Sequence, residues 1–165
     1  MNEIEGRAYL LGDDVNTDDI VPSHTLTMRD AEQMAQHTLE YVDPGFAQKS
    51  STFDIIVAGE NFGTGSSREE AVNVFKILGI KAILARSFAR IYYRNLINVG
   101  IPAIELKWEK GQVSPGDRLI IHLDEGKVIN KTQGIGMSFK QLPDFITSLL
   151  EAGGILEKLK RELKD

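Results

Sequence analysis

The chain has 165 residues, 42% of them hydrophobic, enough to bury one core, and its 24 acidic against 19 basic side chains leave a net charge of −5. No block of clustered Lys and Arg is present to meet a nucleic-acid backbone, and no apolar run reaches the ~18 residues a membrane span needs. Cysteine is absent, which excludes disulfides, a thiol nucleophile, cysteine-ligated zinc and an iron–sulfur cluster on this chain's own thiolates. Glu3 and Glu5 lie near the start without an apolar stretch, so no secretory signal is expected.

In chain order, Arg7-Ala8-Tyr9-Leu10-Leu11 reads as a short first strand. Residues 12–29 are polar and turn-rich, a long loop of the kind that carries function. Residues 31–41 read as a helix, stopped by Asp43-Pro44-Gly45. Phe53-Asp54-Ile55-Ile56-Val57-Ala58 reads as a buried strand. A glycine-rich turn follows, and then a helix with Ala71, Val74, Phe75 and Leu78 on one face, capped by Gly79. Ile80-Lys81-Ala82-Ile83-Leu84 is the next strand. Phe88, Ile91, Tyr92, Leu96 and Val99 share a helical face ended by Gly100, and residues 101–106 form a third strand. These alternations predict an α/β chain of parallel βαβ units with right-handed crossovers, whose ligands gather at the carboxyl ends of the strands. Beyond the Val113-Ser114-Pro115-Gly116-Asp117 turn, residues 118–123 alternate as a half-exposed strand. They pair with Lys127-Val128-Ile129 across Asp124-Glu125-Gly126. Helices over 141–151 and 154–163, with Gly153-Gly154 between, close the chain.

The turn itself is Asn61-Phe62-Gly63-Thr64-Gly65-Ser66-Ser67-Arg68-Glu69-Glu70. It is read as the start of the following helix, where free backbone N–H groups and the dipole favour a carboxylate or phosphate. It is not a P-loop, because Ser66 rather than lysine follows Gly65. It is a poor dinucleotide loop, because Arg68 fills the third glycine's place. Ser66 with Glu69, or Ser67 with Glu70, also fits a capping box, so local chemistry leaves capping and anion binding both open. His24, His37 and His122 show no metal-ligand spacing. His37 is expected to be exposed and His24 not to be catalytic.

This segment resembles the N-[FY]-G-x-G-S-S-R-E signature of the aconitase swivelling domain. Three further stretches are similar to that family in order. They are Gly12-Asp13-Asp14-Val15-Asn16-Thr17-Asp18-Asp19-Ile20-Val21-Pro22, Ala85-Arg86-Ser87-Phe88-Ala89-Arg90-Ile91-Tyr92-Tyr93-Arg94-Asn95, and Asn98-Val99-Gly100-Ile101-Pro102. The chain looks like a small subunit of the isopropylmalate dehydratase and homoaconitase group, which splits the aconitase architecture over two polypeptides. The resemblance implies one swivelling β/β/α domain over residues 1–165, cytoplasmic, with no metal on this chain. It also implies a large-subunit partner that brings cysteines and a 4Fe–4S cluster, and a malate-type dicarboxylate substrate.

By the same resemblance Ser66 removes and returns a proton beside a carboxylate, while Ser67 and Arg68 bind a substrate carboxylate. Asn61, Gly63 and Gly65 shape the turn. Asp18, next to Thr17, orients active-site groups, although an Asx-turn beside Asn16 is an alternative. Arg90 and Arg94, four apart, take a structural or substrate-side role or form a surface stripe. Thr25-Leu26-Thr27-Met28 matches the segment that reads the substrate's variable group. Thr27 stands where homoaconitate-type relatives tend to carry arginine, and the apolar Leu26 and Met28 suit isopropyl, although Thr25 departs from the usual tyrosine. The expected reaction interconverts 2- and 3-isopropylmalate through isopropylmaleate, as in leucine biosynthesis. Homoaconitate or another alkylmalate is the alternative, and a non-catalytic carboxylate-binding module is the rival from another class.

Overall fold

The computed structural model describes residues 3–164. Its centre is a seven-stranded sheet in the order β4-β3-β2-β1-β5-β6-β7. Strand β1 (Glu3–Leu10) is the junction. Its second half pairs parallel with β2 (Ile55–Ala58), and its first half pairs antiparallel with β5 (Arg118–His122). This explains why the strand runs four residues further toward the N-terminus than its apolar pattern suggests. Glu3 and Glu5 lie opposite half-buried positions of a distant strand, so nothing local marks them as extended. The parallel half is completed by β3 (Ala82–Ala85) and β4 (Ala103–Glu105).

Alternation along β2 and β3 splits the core in two. Ile56, Ala58, Ile83 and Ala85 face a helical layer, while Ile55, Val57, Ala82 and Leu84 face the other way. The helical layer contains α4 (Glu70–Ile77), α5 (Arg90–Asn98) and α6 (Asp144–Ala152). On the second face lie Leu119 and Ile121 of β5, Val128 of β6 (Lys127–Asn130) and Met137 of β7 (Ile135–Ser138). The β/β/α layering therefore matches the expected fold class. The hairpin β5–β6 falls where it was predicted, while β7 was not foreseen, because Ile135-Gly136-Met137-Ser138 has only two apolar residues around a glycine. Trp108 reaches back from after β4, and its indole N–H donates to the Ala58 carbonyl at 2.8 Å.

Two segments depart from expectation. The predicted helix over 31–41 is one turn only, α2 (Ala31–Ala35). Leu39 adopts φ +57, donates its N–H to the Ile20 carbonyl and is fully buried, so tertiary packing breaks the helix to seat this side chain. The 12–29 stretch is not structureless. It holds α1 (Thr17–Ile20) and a 3-10 turn (Ser23–Thr25), and Val15, Ile20 and Val21 anchor it in the core. A further short helix, α3 (Phe46–Lys49), precedes β2. At the end, α7 (Ile155–Lys164) has no buried residue. Gly153 and Gly154, both at positive φ, carry the chain past Gly100, where an added Cβ would fall within 2.6 Å of the opposing backbone.

Candidate functional site

The loops leaving β1, β2 and β3 are sewn together by backbone hydrogen bonds. Gly59 N–H donates to the Gly12 carbonyl (3.1 Å), Asp14 N–H to Glu60 (2.8 Å), Gly63 N–H to Val15 (2.7 Å) and Thr17 N–H to Thr64 (2.8 Å). On the other side Phe62 N–H donates to Ser87 (3.0 Å), and Ala89 N–H donates to Phe62 (2.9 Å). The glycine turn is therefore clamped between its neighbours rather than free.

Two non-glycine residues adopt positive φ here, Asp14 (+56) and Asn61 (+58), and Asn61 Nδ2 donates to Asp14 Oδ1 at 3.0 Å. Asparagine and aspartate tolerate this region best. Asn61 N–H also donates to Ser87 Oγ, whose hydroxyl donates to Glu60. Gly63, at φ +88, lies so close to Tyr92 that a Cβ would meet Cγ at 2.2 Å. Gly65, at φ +103, would place a Cβ 3.0 Å from Thr17 Oγ1. Phe62 is buried among Phe75, Phe88 and Tyr92 and pins the turn to the helical layer.

Helix α4 starts at Glu70, its cap Glu69 has helical φ and ψ, and no side chain caps it. Both predicted capping boxes are therefore absent, and Ser66 and Ser67 lie in the turn before the helix instead of at its N-terminus. The capping box in this region is in α1, where Asn16 and Asp19 bond reciprocally.

Ser66, Ser67 and Gly65 line one side of a cleft of about 230 Å³, together with Thr17 and Gly63. The other side is the first turn of α5, with Ala89, Arg90 and Ile91. No side chain caps α5, so its N-terminal backbone N–H groups and dipole favour an anion there. The expected anion-favouring helix terminus thus belongs to α5, not to α4. Among the described residues, none that lines the cleft is acidic. Ser66 and Ser67 are exposed, and the Ser66 backbone is fixed by the buried Thr17 hydroxyl, which donates to its carbonyl at 2.9 Å. Tyr92 is buried, its hydroxyl donates to the Ala71 carbonyl, and burial pushes its pKa well above the ordinary value. It stays protonated and is no base.

Arg68 does not line this cleft. Its Nη1 lies 2.9 Å from Asp18 Oδ1, an ion pair by distance without aligned hydrogen-bond geometry. Asp18 is mostly exposed, so the pair positions the guanidinium more than it stabilises the fold. The 25–28 segment also stands apart. Met28 lines a separate hollow of about 110 Å³ with Met34, Val74 and Ile77. Leu26 is half-buried against the core, and Thr27 is exposed. A larger hollow, about 420 Å³, lies around Glu5, Lys76, Lys81 and Pro102, away from the glycine turn.

Arg90, read from the sequence as structural or substrate-side or else part of a surface stripe, is the cation that lines the cleft. It also lines two neighbouring hollows, and Asn95 one helical turn on reaches the same cleft. Both lie in the Ser87-to-Asn95 motif, so the signal was present. Spacing gave no sign of the grouping of His24, His37 and Glu40, whose ligand atoms fall within 4.8 Å of one another.

Residues 15–109 match the family described as Aconitase C-terminal domain. A 3-isopropylmalate dehydratase small subunit from Methanopyrus kandleri is 46% identical over 96% of this chain and 94% of its own length. The chain belongs to the 3-isopropylmalate dehydratase small subunits. An isopropylmalate/citramalate isomerase small subunit from Methanocaldococcus jannaschii is 43% identical over 98% of the chain. A crystal structure of 3-isopropylmalate dehydratase from the same organism superposes with a TM-score of 0.89 at 41% identity, covering 97% of this chain and 95% of that one. The family match takes in the whole glycine turn and the two motifs after it. As a dehydratase small subunit, the chain is a component of a hydro-lyase complex. Among its described residues no helix is long and apolar enough to cross a membrane.

Proposed function

We propose that this chain is the proton-transferring half of a two-subunit 3-isopropylmalate dehydratase. The complex interconverts 2- and 3-isopropylmalate through isopropylmaleate in leucine biosynthesis, in the cytoplasm, with residues 1–165 acting as one swivelling unit. The observation that supports the reading is the cleft, lined on one side by the exposed Ser66 and Ser67 and on the other by the N-terminus of α5 with Arg90, with no acidic residue in its lining. Ser66 Oγ takes the proton from the carbon beside a substrate carboxylate while the hydroxyl on the neighbouring carbon leaves as the water of dehydration, and it returns the proton when water adds back across the double bond. A serine alkoxide is a strong base, and the N-terminus of α5 with Arg90, in a cleft whose lining contains no acidic residue, lowers the cost of forming it. Ser67 and the first N–H groups of α5 receive the carboxylate. Arg68, held toward Asp18, meets a second oxygen pair when the complex closes.

The chain has no cysteine, and the cleft presents no thiolate, so this chain does not fit a 4Fe–4S cluster. That group is assigned to the large-subunit partner. The 25–28 segment reads the variable group, with an uncharged Thr27 between apolar Leu26 and Met28 favouring isopropyl over a third carboxylate. Met28 reaches substrate only by leaving its hollow beside Met34, a movement assigned to assembly. A second reading, a broader alkylmalate specificity, draws on the Methanocaldococcus jannaschii relative, whose name includes citramalate.

The test is anaerobic reconstitution with the large subunit and an assay across 2-isopropylmalate, citramalate and homoaconitate. Turnover is expected for the first, with Ser66→Ala lowering kcat by about 10²–10⁴-fold while the subunits still co-purify. Near-full activity in Ser66→Ala sinks the base assignment. Tight binding of these acids without turnover of any of them turns the reading into a non-catalytic module.

A further inference from the structure

The fold gathers three potential ligands outside the cleft. His24 lies in the Ser23–Thr25 turn, and His37 and Glu40 lie in the turns after α2. His24 Nε2 is 2.5 Å from Glu40 Oε1, and His37 Nδ1 is 2.7 Å from Glu40 Oε2. The imidazoles meet edge to face with centroids 5.3 Å apart. Their side chains are 45% and 34% exposed and that of Glu40 26%, so an ion with its waters has a way in.

Two imidazole nitrogens and a carboxylate form the donor set that borderline divalent cations prefer. Ligand bonds of ~2.0–2.2 Å around one centre separate donor atoms by roughly 3.3 Å. Each nitrogen therefore needs to withdraw from the carboxylate by less than about 1 Å.

We propose that His24, His37 and Glu40 bind one divalent cation of the Zn²⁺ or Ni²⁺ class, with water completing its coordination. The ion ties the root of the 25–28 segment to the 37–40 turn. Thr25 makes that root rigid, being buried with its hydroxyl on the Pro22 carbonyl. A clamp at His24 therefore restrains the three residues beyond it. The site stands independently of the catalytic reading, since cation binding and turnover are measured separately and either can fail alone.

The test is calorimetric titration of the metal-free full chain with ZnCl₂ near neutral pH, with MgCl₂ as the hard-cation comparison. One Zn²⁺ per chain is expected, with His24→Ala, His37→Ala and Glu40→Gln each weakening binding at least tenfold and His122→Ala leaving it unchanged. Circular dichroism checks that each variant is folded. Zinc is also expected to slow amide exchange at Leu26, Thr27 and Met28. Absence of binding at millimolar Zn²⁺, retention of binding in the His24→Ala/His37→Ala double variant, or equal binding of Mg²⁺ overturns the site. Unchanged exchange with zinc bound overturns the clamp.

Discussion

The parallel strands β1–β4 and the antiparallel strands β5–β7 share a sheet and are finished differently. In β2 and β3 every residue is buried, and the loops at their carboxyl ends are locked by main-chain bonds, two left-handed non-glycine residues and glycines pressed against side chains. In β5–β7 burial alternates, and the connecting turns are secured by side chains. Asp117, 6% exposed, accepts from Asn130 Nδ2, the Ser114 N–H and Gln133. Backbone locking suits a place where hydroxyls must hold position without side chains crowding the ligand. The proposed chemistry lies in the half where the main chain itself is the scaffold.

Breaking the backbone lock has the larger effect. Gly63→Ala places a Cβ against Tyr92 at positive φ, and is expected to cost about 3 kcal/mol in urea unfolding and to abolish turnover in the reconstituted complex. Breaking the side-chain lock is milder and spares the site. Asn130→Ala is expected to cost about 2 kcal/mol with kcat unchanged, because it strips a hydrogen bond from a buried carboxylate. This effect has a pH signature. Burial alone raises the Asp117 pKa, but the bonds from Asn130, Ser114 and Gln133 outweigh it and lower the value. The stability this gives is present above the unfolded carboxylate value near ~4 and is lost as pH falls through the lower folded value. Unfolding of wild type and Asn130→Ala compared at pH 7 and at pH 3 or below is therefore expected to show the gap narrowing in acid.

Smaller effects sharpen the picture. Arg90→Gln removes the cation lining the cleft and is expected to raise KM roughly tenfold, about 1.4 kcal/mol, with the fold unchanged. A change in kcat alone would place Arg90 in the proton transfer rather than in binding. Leu163→Gln, on an α7 residue 87% exposed, is expected to move stability by no more than about 0.5 kcal/mol.

The parallel half was legible because Ile55, Ile56, Val57, Ile83 and Leu84 form continuous apolar runs between glycine turns, and such runs have one good solution. What escaped depends on distant partners. The first half of β1 is a strand because β5 lies beside it. Leu39 leaves the helical pattern to fill a core site, and Val15, Ile20 and Val21 order a stretch too polar to announce itself. At the candidate site, Ser66, Ser67, Thr17, Gly63 and Gly65, which the motifs single out, line one cleft. The helix begins later than the pattern suggests, at Glu70, because bonds of Phe62 and Gly63 to Ser87 and Val15, and of Thr17 to Thr64 and Ser66, hold the turn in loop form ahead of it. Arg68 facing Asp18 and Met28 facing Met34 are choices of rotamer and loop path that one-dimensional spacing does not encode.

Trp108 is the one tryptophan in the sequence, and it is bonded to Ala58, the residue before Gly59 opens the glycine turn. The molecule thus carries a built-in optical reporter beside its own machinery. Displacement of that turn by substrate or by a companion subunit will register in the indole emission, so assembly and ligand closure can be timed in a stopped-flow instrument on unlabelled protein.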